Sequence, residues 1–181
     1  MSLLFFVGFA VCAVAAIVDV RTGSIPNRLT YPILLLAPPL HLALSLGNGL
    51  SLAGAASNAG LSVLGMLLCG LVPLLMWRSG ALGGGDVKLF AALGGLVLPR
   101  FGFEAEAYIF VSATLMAPFQ LLYRGGFLAS LQNIGARLRN AVRPKARRVA
   151  SAAPPSTWFR LGPSFAIGFA AELASRWVAS G

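Results

Sequence analysis

The sequence predicts an all-α, polytopic membrane bundle of about six transmembrane helices, and three observations carry that prediction. First, hydrophobic residues make up 57% of the chain and charged residues only 10%, at a mean hydropathy of +0.82. A soluble domain is usually about a quarter charged and under half apolar, so lipid must be the solvent for much of this surface. Second, the apolar residues fall in six runs rather than being spread evenly. Third, the cations gather in alternate loops between those runs.

The runs lie at about residues 1–18, 29–46, 52–77, 87–98, 105–123 and 161–178. A helix needs roughly 20 apolar residues to cross a bilayer core, and five of the runs approach or exceed that length. The first lacks a basic start and a clean small-residue cleavage site, and it ends in Asp19. It therefore reads as a retained span rather than a signal peptide. The fourth is short and opens on glycine, which predicts a half-buried helix or a thinned region. A length of 181 residues suits one membrane-embedded domain, 1–181, with a basic cytoplasmic segment at about 124–160.

Net charge is +9, from 14 Lys and Arg against 5 Asp and Glu. Because the cations sit in loops, they read as topology signals and contacts with anionic lipid, not as a nucleic-acid surface. The first, third and fifth loops hold eleven of the 14, Arg21, Arg28 and Arg78 among them. Arg100 and Arg176 fall on the other side, and Lys88 stands where a span begins. This predicts odd loops in the cytoplasm and both termini outside. Within 124–160, Phe127, Leu128, Leu131, Ile134 and Leu138 recur at helical spacing beside Arg137 and Arg139. An amphipathic helix on the inner leaflet and a solvated loop both fit that pattern.

Acidic residues are scarce: Asp19, Asp86, Glu104, Glu106 and Glu172. The two aspartates each stand at the membrane edge of a span, where ionisable groups are costly and usually serve function or pairing. Between them the chain crosses twice, so both reach the same face in either orientation. Two carboxyl groups that can meet are what an aspartic protease needs. One, ionised, takes a proton from water, and the other, protonated, donates to the scissile carbonyl. The bland alternative has Asp19 paired with Arg21 or Arg28 as an anchor and Asp86 capping the fourth helix.

Asp86 lies in Gly83-Gly84-Gly85-Asp86-Val87-Lys88. The glycines permit close backbone approach, a helix start favours a carboxylate, and Lys88 can steady the charge or reach the headgroups. The run lacks the spacing of a phosphate-binding loop. Asp19 is followed by Ile25-Pro26-Asn27, which marks a tight turn into the second span.

These segments resemble the G-x-G-D-x-K signature and the D-x5-I-P-N segment of type IV prepilin peptidases, in the same order, over about residues 1–98. The resemblance implies catalytic Asp19 and Asp86, supported by Gly83, Gly85, Lys88, Pro26 and Asn27. It further implies cleavage of leader peptides from pilin-like precursors at the cytoplasmic face of the bacterial inner membrane. The chain has no Cys-rich insertion like that of the methylating members, so N-methylation is not expected. Its size resembles the short CpaA/TadV type of the Flp (tight-adherence) pilus system. Where that type often opens its last span with a Pro-Tyr-Gly-like turn, this chain has Leu161-Gly162-Pro163-Ser164, and the sequence assigns these residues no role.

No metal or cofactor site is expected, and the oligomeric state is open. Cys12 and Cys69 read as small packing residues, His41 as packed or hydrogen-bonded, and Glu172 and Arg176 as an i,i+4 ion pair. Glu104 and Glu106 read as outer-loop residues. Trp77, Trp158 and Trp177 fit an aromatic belt. The rival functions are a non-enzymatic membrane subunit of a pilus or secretion assembly and a small proton-coupled transporter.

Overall fold

The computed structural model describes residues 3–123 and 160–180, and every described element is a helix. Helix α1 is Leu3–Thr22, α2 is Asn27–Gly47 and α3 is Leu52–Arg78. The stretch Gly84–Tyr123 is helical on both sides of Leu98, whose φ of 71° and ψ of 163° break it. Its two arms are α4 (84–97) and α5 (99–123), and α6 is Gly162–Ser180. Two compact units result, one of residues 1–113 with 160–181, the other of 114–159. Of the second unit only the end of α5 is described. The expected amphipathic helix near 127–138 and Trp158 lie outside the described residues.

Short turns separate the first three helices. Gly23 (φ 74°) ends α1, and its N–H donates to the Asp19 carbonyl at 2.8 Å. Glycine suits that left-handed position because it has no Cβ to clash. Pro26 stands at the N-cap of α2 in extended backbone, and the Ser51 hydroxyl caps α3 by accepting from the Gly54 N–H.

In the first unit α1 packs along α6 and α2 along α3. The short α4 is its most buried helix: Leu89, Phe90, Leu93, Leu96 and Val97 are all buried. Phe90 stacks with Phe110 of α5 and meets Phe165 of α6. The outer faces are the reverse of a soluble surface, with Leu35 74% and Leu67 67% exposed. Such faces need an apolar solvent.

Helix α3 meets α4 backbone to backbone. A Cβ on Gly65 would lie 2.2 Å from the Gly94 carbonyl oxygen, and one on Gly94 would lie 2.3 Å from that of Gly65. Small residues at such a crossing replace the hydrophobic drive that is missing inside lipid. Cys69 fills the adjoining space against Gly94 and Gly102, the packing role its position predicts.

The break at Leu98 frees two carbonyls. Pro99 has no N–H, so the Gly95 carbonyl loses its helical donor. The Ser62 hydroxyl replaces it at 2.6 Å. The Leu96 carbonyl accepts from His41 Nε2 at 3.0 Å. His41 is thus a hydrogen-bonded core residue. In both cases a neighbouring helix supplies the lost donor, which is how buried breaks are tolerated.

Glu104 and Glu106 lie on α5 rather than in a loop, because the chain resumes helix directly after Pro99. Glu172 pairs with Arg176 as the spacing predicts, and Arg176 also reaches Glu104 and covers the Phe101 ring. Among the described residues three helices, α1, α2 and α3, are long and apolar enough to cross a membrane. The expected count of six spans is not reached on that measure.

Gly65→Ala should destabilise the protein by about 1–3 kcal/mol through overpacking. Gly60→Ala, where a Cβ meets open space, should be neutral or stabilising by up to about 1 kcal/mol. Thermal unfolding of both variants in detergent measures the difference, and equal stabilities would contradict the close crossing.

Candidate active site

Asp19 lies in the last turn of α1, on the buried face it shares with Cys12 and Ala15, and is only 5% exposed. A carboxylate at a helix C-terminus faces an unfavourable dipole. Here a second helix answers it: the Gly162 N–H, at the start of α6, donates to Asp19 Oδ2 at 2.9 Å. Arg160, just before α6, donates to the Val20 carbonyl at the end of α1. Among the described residues the ion pairs join Arg100 and Arg176 to Glu104 and Glu172, so Asp19 is not an anchor for Arg21 or Arg28.

Asp86 sits in the first turn of α4, ahead of the apolar run and outside the three long apolar helices. Its Oδ2 accepts from the Gly83 N–H at 3.1 Å. This is half of a capping box, in which the third helical residue reaches back to the cap. Asp86 does therefore cap its helix, but capping leaves its second oxygen free for other work. Burial pushes the carboxyl up to about 6 from the ordinary 3.8, the Gly83 N–H pulls the other way, and the charge of Asp19 adds to the rise. Asp86 thus keeps its proton where a solvated aspartate has lost it, and it senses Asp19 electrostatically.

Two contacts join the motifs across some sixty residues of sequence. A Cβ on Gly85 would lie 2.8 Å from the Ile25 carbonyl oxygen, so α4 begins pressed against the turn that leads to Pro26. Lys88 Nζ donates to Asn27 Oδ1 at 2.7 Å and lies 4.8 Å from the Tyr31 ring centroid. The lysine ammonium is therefore engaged by the start of α2, where it ties the two segments together. Gly83, Gly85, Pro26, Asn27 and Lys88 together form the junction between the end of α1, the start of α2 and the start of α4.

The residue that sequence reasoning passed over is Gly162. Its signal was a Gly-Pro pair opening the last helix, a pattern that ordinary helix starts also show. Tyr31, under the Lys88 ammonium, carried no distinctive signal.

A family model described as the type IV leader peptidase family matches residues 6–123. Over 124 residues the chain is 36% identical to "Prepilin peptidase EppA" of Methanothermobacter thermautotrophicus, covering 64% of this chain and 29% of that protein. Over 101 residues it is 27% identical to "Prepilin leader peptidase/N-methyltransferase" of Vibrio cholerae serotype O1, covering 56% of this chain and 37% of that protein. The chain thus spans well under half the length of these curated relatives. No solved structure matches it. The matched stretch contains Asp19, Asp86 and the whole junction between them, and the chain belongs to the type IV leader peptidase family.

Proposed function

We propose that this chain is an aspartic endopeptidase that removes the leader peptide from type IV prepilin-like precursors. The observation that carries the reading is the junction of the two motifs. Ile25 against Gly85, and Asn27 bonded to Lys88, hold Asp19 and Asp86 at one end of the bundle, where the charge of one is felt by the other. Two coupled carboxyls in a part-buried setting favour a state with one shared proton. Asp19 is the base that takes a proton from water. Asp86, whose burial favours the neutral form, is the acid that polarises the scissile carbonyl.

The membrane setting follows from the same reading. The chain is an inner-membrane protein of six spans with both termini periplasmic and the aspartates at the cytoplasmic rim. The charge asymmetry of the loops supports that orientation. The substrate's apolar helix docks laterally while its leader stays in the cytoplasm. The basic segment near 124–160 contacts anionic headgroups, since its charge would repel a basic leader. The precursors proposed as its substrates are of the Flp (tight-adherence) type.

Asp19→Asn and Asp86→Asn should each reduce leader cleavage by about 10²–10⁴-fold with membrane levels unchanged. Immunoblotting of precursor and mature pilin checks this. Processing that survives in either variant would leave a non-enzymatic membrane subunit as the better reading.

The Asp86 shift has a defined sign. Its folded-state value lies above its unfolded one, so its contribution to stability is full below 3.8 and is lost as pH rises through about 6. Wild-type thermal stability should therefore fall relative to Asp86→Asn over that interval and level off above it. The same titration should bend kcat/KM downward as pH rises, since that ratio reports the free enzyme. A flat stability difference between the two proteins across that range would contradict the assignment.

A further inference from the structure

We infer that the start of α6 is part of the catalytic site, and that Gly162 is the positioning residue that aims Asp19; this rests on the peptidase reading above. Two independent features of the same residue carry the inference. Its N–H donates to Asp19 Oδ2 at 2.9 Å in a buried setting. Its missing side chain is also required, because a Cβ there would lie 2.5 Å from Asp19 Cβ and 2.7 Å from Oδ2. A methyl group there would press on Asp19 itself, so the aspartate or the start of α6 must shift to admit it.

The local structure makes Gly162 a fixed point rather than a loose loop residue. Leu161 is buried, and its carbonyl accepts from the Ser164 and Phe165 N–H groups, so the first turn of α6 is closed. Arg160 ties the preceding backbone to Val20. Phe165, packed on Phe90, links the same turn to the helix that carries Asp86. The start of α6 is therefore keyed to both aspartate-bearing helices.

The arrangement is symmetrical in its logic. Each aspartate has Oδ2 held by a glycine N–H, Gly83 for Asp86 and Gly162 for Asp19. Each is left with Oδ1 for the water and the shared proton. An N–H donor suits a charged oxygen and fixes the orientation of the carboxyl that accepts it. A misplacement of about 1 Å at such a group can lower the rate on the order of 100-fold.

The test has two arms on the full chain in proteoliposomes. In the first, Asp86→Asn leaves Asp19 as the sole aspartate. With ¹³C-carboxyl aspartate and ¹⁵N-glycine, rotational-echo NMR should then show strong dephasing of the Asp19 carboxyl carbon, from a nitrogen within about 4 Å. No dephasing overturns the inference, whatever the activity. In the second, Gly162→Ala should lower kcat about 100-fold with KM held within about twofold. Gly168→Ala, whose Cβ meets the Ile109 backbone instead, should lower stability but keep kcat per folded molecule. A wild-type kcat in Gly162→Ala overturns the inference. If Gly162→Ala does not fold, the first arm decides. If the unsubstituted chain cleaves no precursor, the peptidase reading fails while the NMR contact still tests the clamp.

Discussion

The structure depends on how closely the backbone of α4 approaches its neighbours. Helix α4 is short and lies at the centre of its unit, touching α3 through Gly94 and Gly65 and the Ile25 turn through Gly85. At these points backbone meets backbone with no room for a methyl group. In lipid, burying apolar surface between helices gains little, so close packing and polar contacts must hold them together. Glycine allows both, and the positions of the glycines therefore decide where α4 can sit.

A centrally buried helix imposes its own demands. A carbonyl freed inside the protein needs a donor from a neighbouring group. The break at Leu98 is tolerated because Ser62 and His41 supply the donors that Pro99 and the kink remove. The strained φ of Leu98 is thus held by groups on two other helices. At the opposite end of α4 the same logic acts on acids. Among the described residues Asp86 and Asp19 take hydrogen bonds from glycine N–H groups at helix starts rather than from cations. A guanidinium or ammonium partner would hold both carboxylates charged, whereas backbone donors leave room for a proton. Lys88 is instead bound to Asn27, where it fixes the junction.

The far end of the unit shows the contrasting use of charge. Arg100, Arg176, Glu104 and Glu172 form a cluster, with the Arg176 guanidinium on the faces of Phe5 and Phe101. Its charges satisfy each other and join α1, α5 and α6. Ion pairs serve packing there, while among the described residues no ion pair joins the carboxyls at the other end.

The sequence by itself determined the membrane class, the helices α1 to α3, and the two motifs around Asp19 and Asp86. These are properties of local composition and spacing: apolar runs long enough for a bilayer, and short signatures carried by adjacent residues. The Glu172–Arg176 pair was legible for the same reason, since four residues is one helical turn. The helix break at Leu98, the place of Glu104 and Glu106 on α5, and the partner of Lys88 were decided by the tertiary structure. So was the role of Gly162, whose value depends on Asp19, 143 residues away. No local pattern encodes that distance, because a glycine before a proline looks the same whether it caps a lipid-facing helix or holds a carboxylate. Only the packing of α6 on α1 brings its N–H to the acid, and only there does a missing methyl group become a requirement.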